Sequence, residues 1–170
     1  MPEIKEFIRN LQEYHGKLVF NPWKDYDRNY DIGSDAPQIR RSHLEAFLRL
    51  RIPHARYILV AEALGYQGGH FSGIAMTSER ILLDHHPAVC ADVVIGRQGK
   101  RTSKVGGWLT KKVQDKGFAE PTATIVWQTL LDNKITPQDI MLWNIFPFHP
   151  HDPEDLLSNR KPTADELEKG

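Results

Sequence analysis

The chain has 170 residues, 40% of them hydrophobic and 26% charged, and its 22 Lys and Arg balance 22 Asp and Glu. This is the composition of one globular domain with a real core, and zero net charge supplies no overall pull toward nucleic acid or membranes. The single cysteine, Cys90, excludes an internal disulfide, a cysteine zinc cluster and an iron–sulfur cluster ligated by this chain, and fits a reducing compartment. No run approaches ~18 apolar residues, and the opening MPEIKEFIRN places Glu3 and Glu6 where a signal peptide needs basic and then apolar residues, so a cytoplasmic protein is expected.

Ile4, Phe7, Ile8 and Leu11 recur at helical spacing between Pro2 and Gly16, which predicts a helix over 3–15. The aromatic and polar loop FNPWKDYDRNYDIG follows, and then Ser34 or Asp35 caps a second helix through Ile39, His43, Phe47 and Leu50, stopped by Pro53. ARYILVAE, residues 55–62, reads as a buried parallel strand. The segment ILLDHHPAVCADVVIG fits helix or strand. Val105, Trp108, Leu109 and Val113 predict a helix ending near Gly117, with Trp108 in the core. Pro121 opens another helix through Ile125, Val126, Leu130 and Leu131, and QDIMLWN is the second strand. Strands separated by helices, without internal repeats, indicate a layered α/β fold with parallel strands. Thr163 and Glu166 form the signature of a capping box four residues from the chain end.

Three constellations could carry chemistry. The loop VAEALGYQGGHFSG, residues 60–73, leaves the first strand where α/β sheets collect ligands, yet it lacks the spacing of a nucleotide-phosphate loop and also reads as a simple connector. WNIFPFHPHD, residues 143–152, leaves the second strand; Asn144 offers a donor and an acceptor to an amide-like ring, or else a backbone cap. His149 and His151 suggest a metal hydrolase, but a third ligand is not identifiable by spacing, and His85 and His86 are the nearest alternatives. The third constellation, residues 97–116, holds seven basic side chains against Asp115 alone. Such a field suits phosphates, and Arg97, Lys100, Arg101 and Lys104 are its leading members, although a basic run also serves as a solvated face.

Taken in order, these segments resemble the uracil-DNA glycosylase superfamily. AEALG at 61–65 resembles the first active-site motif in its GEAPG form, HFSG at 70–73 resembles PFxG, NIFPFHP from Asn144 resembles the second-strand segment, and NRKPTADE at 159–166 resembles the NRxPTxxE helix start. The resemblance implies a three-layer αβα fold with a small parallel sheet and cleavage of the N-glycosidic bond of uracil, or a related damaged base, flipped out of DNA. It implies that Glu62 activates or positions water as the catalytic carboxylate, and that Gly65, Phe71 and Asn144 bind the base, with Phe71 stacking on it and Asn144 reading uracil. No cofactor is implied. The basic segment would hold DNA phosphates. Leu64 stands where the motif has proline, the iron–sulfur cysteines of the thermophile-type branch are missing, and the family's last two strands with their HPS-like motif have no counterpart. His149-Pro150-His151 precedes the helix start and does not take the place of that histidine.

The expectation is therefore one domain over 1–170, corresponding to the first two-thirds of the family fold and truncated at its C-terminus. Its uncovered sheet edge invites a homodimer. A non-catalytic nucleic-acid binder and a metal-dependent hydrolase using His149 and His151 are the rival readings.

Overall fold

Residues 2–170 are described by a computed structural model. Ile4 and Ile8 bury one stripe of helix α1 (Pro2–Glu13), as their spacing predicts. The aromatic loop begins at strand β1 (Val19–Phe20) and is held from two sides. Buried Trp23 donates Nε1–H to the Gly73 carbonyl at 3.1 Å. Arg40, on helix α2 (Ala36–Arg51), is also buried and donates to Asp31 at 2.6 Å and to the carbonyls of Pro22 and Asp25. Ion pairing and carbonyl acceptors are what make this buried guanidinium tolerable. Asp35 is the residue at the α2 N-cap, without a side-chain cap bond.

Strand β2 (Tyr57–Ala63) forms where strand-forming residues predict it, but it is not buried. Tyr57, Ile58, Leu59 and Val60 are 65%, 61%, 42% and 46% exposed. Apolar, branched composition reports a local preference for extended backbone; it cannot report how many neighbours the strand acquires. Only strand β3 (Ile140–Phe146) pairs with β2 among the described residues, in parallel register from Tyr57↔Ile140 to Ala63↔Phe146.

The intervening chain is helical: α3 (Gly69–Ser72), α4 (Glu79–Leu82), α5 (Ala91–Ile95), α6 (Lys111–Lys116) and α7 (Pro121–Asp132). The ambiguous segment thus resolves into α4 and α5, with Asp84 accepting from the Ala91 N–H and His86 from the Ala88 and Val89 N–H groups between them. The helix expected from Val105 starts only at Lys111. Gly106 and Gly107 weaken any earlier start, and Thr110 accepts from the Val113 N–H as its cap. Trp108 is accordingly 44% exposed and not a core residue. Helix α7 buries Ala123, Trp127 and Leu130, whereas Ile125 faces outward.

After β3, strand β4 (His149–Pro150) pairs antiparallel with β1. Helix α8 (Ala164–Lys169) opens on the expected capping box, in which Thr163 and Glu166 each accept from the other's backbone N–H. Leu44, Phe47, Ile74, Ile81, Trp127 and Phe146 belong to one contiguous core. The architecture is α/β, with one small parallel and one small antiparallel sheet among the described residues. No helix among these residues is long and apolar enough to cross a membrane.

Candidate active site

The loops leaving β2 and β3 are joined where the Leu64 N–H donates to the Phe148 carbonyl at 3.1 Å. Leu64 itself is buried, and Gly69 is glycine for that reason: a Cβ there would overlap the Leu64 side chain. A Cβ on Gly68 would overlap the Glu120 carboxylate, and one on Gly65 would lie 3.4 Å from Glu120 Oε1 and 3.5 Å from Asn159 Oδ1. The glycine-rich loop therefore admits a carboxylate close to its backbone. Asn159 Oδ1 also accepts from the Tyr66 N–H at 3.0 Å, so the NRKPT segment is tied directly to this loop.

Glu120 sits at the N-cap of α7 without a cap bond, and its Oε2 is buried with no hydrogen-bond partner. Burial raises its pKa from 4.5 to about 7. On α3, at the end of the same glycine-rich segment, His70 is fully buried, its ring stacked on Phe20 at 4.1 Å, and its Nδ1 lies 2.9 Å from His149 Nδ1. The tautomers follow from a carbonyl. His149 Nε2 lies 2.7 Å from the Ser158 oxygen, which only accepts, so His149 carries its proton there and presents a bare Nδ1 to the His70 Nδ1–H. Burial lowers the His149 pKa to about 4 and that of His70 well below the usual value, keeping both neutral at pH 7. His70 Nε2 is left as a buried lone pair without a donor.

Asn144 is 2% exposed, and its Oδ1 is likewise buried and unpartnered. It pairs in register with Ala61, so the two share a face of the sheet. Glu62, one residue along β2, projects from the opposite face and is exposed. Strand alternation therefore separates the expected catalytic carboxylate from the expected base reader, and Glu120 is the acid beside the glycine-rich loop. Phe71 is fully buried with its ring stacked on Phe118 at 4.7 Å and 8°. A cavity of about 320 Å³ adjoins Phe118, bordered by Tyr66, Gln67, Arg80, Trp108 and Leu157.

The four basic residues divide. Arg97 donates to Ser42 Oγ at 2.8 Å and, with Lys100, lines a cleft of about 230 Å³ that also includes Asp35, Gln38 and Ser42. Arg101 is consumed internally, donating to the carbonyls of Ser103, Val113 and Gln114, the last two within α6. Lys104 reaches the Arg28 carbonyl at 3.2 Å. Both ring nitrogens of His149 are committed, whereas His151 bonds the Asp152 carbonyl through Nδ1 and keeps its Nε2 outside any hydrogen bond. Among the described residues no cluster of three or more His, Cys, Asp or Glu could hold a metal ion.

Sequence reasoning missed Glu120 and His70 as site residues. Glu120 precedes a proline at a helix start, an ordinary place for an acid, and only the fold carries it to the glycine loop. The HFSG segment did contain His70, but nothing in its spacing points to His149, 79 residues away. Comparison with models of protein families finds no match for this chain, and comparison with curated proteins also finds none.

Proposed function

We propose that this chain is a uracil-DNA glycosylase-like hydrolase, with the three-layer fold of that superfamily, that cleaves the N-glycosidic bond of uracil or a related damaged base flipped out of DNA. The observation that carries this reading is the buried Asn144 amide, whose Oδ1 is unpaired at the C-terminal end of the parallel strands. A buried amide without a partner is costly, and the cost is removed by a ligand with the complementary edge. Uracil has one: its imide N–H donates to Asn144 Oδ1, and Asn144 Nδ2–H donates to the adjacent carbonyl.

In this reaction the bond from C1′ to the base nitrogen breaks with its electron pair staying on the base. Asn144 stabilises the negative charge that develops on the uracil oxygen, and DNA phosphates stabilise the cationic sugar. Water then adds to C1′ and gives its proton to Glu120. That carboxylate replaces Glu62 in the role the family resemblance assigns, because it lies against the Gly65–Gly68 turn with a free oxygen. A base stacks on Phe71 by displacing Phe118 from that ring. Arg97 and Lys100 serve as the phosphate contacts, since Arg101 is occupied by carbonyls.

The test is base release from a uracil-containing single-stranded oligonucleotide, read as alkali-sensitive cleavage in the presence of chelator. Release by the wild type that Asn144→Ala abolishes supports the reading; no release by the wild type refutes it. The Phe71–Phe118 stack favours one alternative, a nucleic-acid binder whose pocket stays filled, which predicts salt-dependent DNA binding without base release.

A further inference from the structure

We propose that the cavity beside Phe118 takes a second nucleotide of the DNA strand, next to the one whose base is excised, with its phosphate on Arg80 and its base stacked on Trp108. This rests on the reading of the chain as one that acts on DNA, and it adds a strand preference: two adjacent nucleotides are unstacked together most readily in single-stranded DNA.

Arg80 calls for an anion. It is 8% exposed, and among the described residues no carboxylate pairs with it. Its Nη2 donates to the Gly117 carbonyl at 2.9 Å, and its Nε is buried with no partner. Arg40, by contrast, has Asp31, and Arg160 has Glu166. The adjacent Glu79 does not serve, because its carboxylate is taken up by the Thr102 and Ser103 N–H groups. A buried cation without a counter-charge is costly, and a phosphate supplies both the charge and charge-assisted hydrogen bonds.

The remaining walls indicate what carries the phosphate. Tyr66, Trp108, Leu109, Val113 and Phe118 border the cavity with Arg80, and no acidic side chain among the described residues lines it. At about 320 Å³ it stands at the small end of ligand sites, the scale of a single nucleotide. Trp108 has a face to offer: Tyr30 meets it at 68° and Phe118 at 38°, so neither ring lies parallel on it. An aromatic face beside a cation is how single strands are held without reading their sequence. Phe118 borders the cavity and stacks on Phe71, which sets the second nucleotide beside the proposed base site. When its ring leaves Phe71, Phe118 stays at the cavity wall, because its carbonyl accepts from the Arg80 N–H at 2.9 Å.

Titrating the ¹⁵N-labelled chain with two thymidine dinucleotides, one joined by a phosphodiester and one by an uncharged methylphosphonate, tests this. The wild type is expected to bind the phosphodiester ~10-fold more tightly, and Arg80→Gln, with circular dichroism confirming its fold, should abolish the difference. Because Arg80 is buried, Trp108→Ala supplies a second test at an exposed position: it should weaken both dinucleotides ~10-fold, and Trp108→Phe should restore most of the loss. Equal binding of the two linkages by the wild type, a difference that survives Arg80→Gln, or a Trp108→Ala variant that binds like the wild type overturns the proposal. Uracil release is measured separately. A chain that binds the dinucleotides as expected and releases no uracil keeps this site and loses the glycosylase reading; the reverse result loses only the site.

Discussion

Two buried polar regions of the molecule are built on opposite terms. The Glu79 carboxylate is fully partnered: it accepts from the Thr102 and Ser103 N–H groups and the Ser103 hydroxyl, and His43 likewise uses both ring nitrogens, on the Ser72 carbonyl and the Lys100 N–H. Around the glycine-rich loop, Asn144 Oδ1, His70 Nε2 and Glu120 Oε2 are buried without partners. The first arrangement fastens the basic segment to the core. The second keeps unmet hydrogen-bonding capacity at the end of the parallel strands, which is what a ligand with matching groups would satisfy. Three other unpaired buried atoms, Arg51 Nε, Ser78 Oγ and Arg80 Nε, lie outside this group, and both arginines bond carbonyls through their terminal nitrogens.

The sharpest way to break the comparison is to remove one carboxylate from each region. Glu79→Ala should destabilise the fold by ~3–5 kcal/mol, because three donors lose their shared buried acceptor. Chemical denaturation measures this. Glu120→Gln should have the opposite sign. Its folded pKa of about 7 lies above the ordinary value of 4.5, so the folded state holds the proton more tightly, and stability falls as pH rises from about 4.5 to about 7. At pH 8 the substitution should stabilise by on the order of 2–3 kcal/mol, and near pH 4 the gain should vanish. In base release the same variant should lose ~10²–10⁴-fold, while the wild-type rate rises with pH through about 7 as the carboxylate ionises.

Smaller effects separate the basic residues. Lys100→Gln should lower the salt dependence of DNA binding by ~0.7–0.9 of a logarithmic unit per unit of log salt, and Arg101→Gln should leave that slope unchanged while destabilising the fold. Titrations at several salt concentrations distinguish them. The least effect is expected at Glu62, where Glu62→Gln should change base release less than ~2-fold, in contrast to a water-activating role worth ~10²-fold or more.

Local chemistry made part of this legible. The α1 stripe, the two strands and the Thr163–Glu166 box depend on neighbours within a few residues, and all are found where periodicity and capping rules locate them. The exposure of β2 depends on strand pairing, and the placement of Glu120 depends on the path of α7 past the loop at Gly68. Neither leaves a mark on nearby sequence. Glu62 illustrates the limit most clearly: its motif was visible, but the β2–β3 register decides which face it occupies.

The unpaired Asn144 amide is best tested by nuclear magnetic resonance on ¹⁵N-labelled protein. Its side-chain amide signals are identified by their loss in Asn144→Ala, and uracil is then added to the wild type, with 3-methyluracil, which lacks the imide N–H, as the control. The base-reading account predicts that uracil shifts the Asn144 signals downfield in a saturable way and that 3-methyluracil shifts them less. Signals that stay in place at saturating uracil would contradict it.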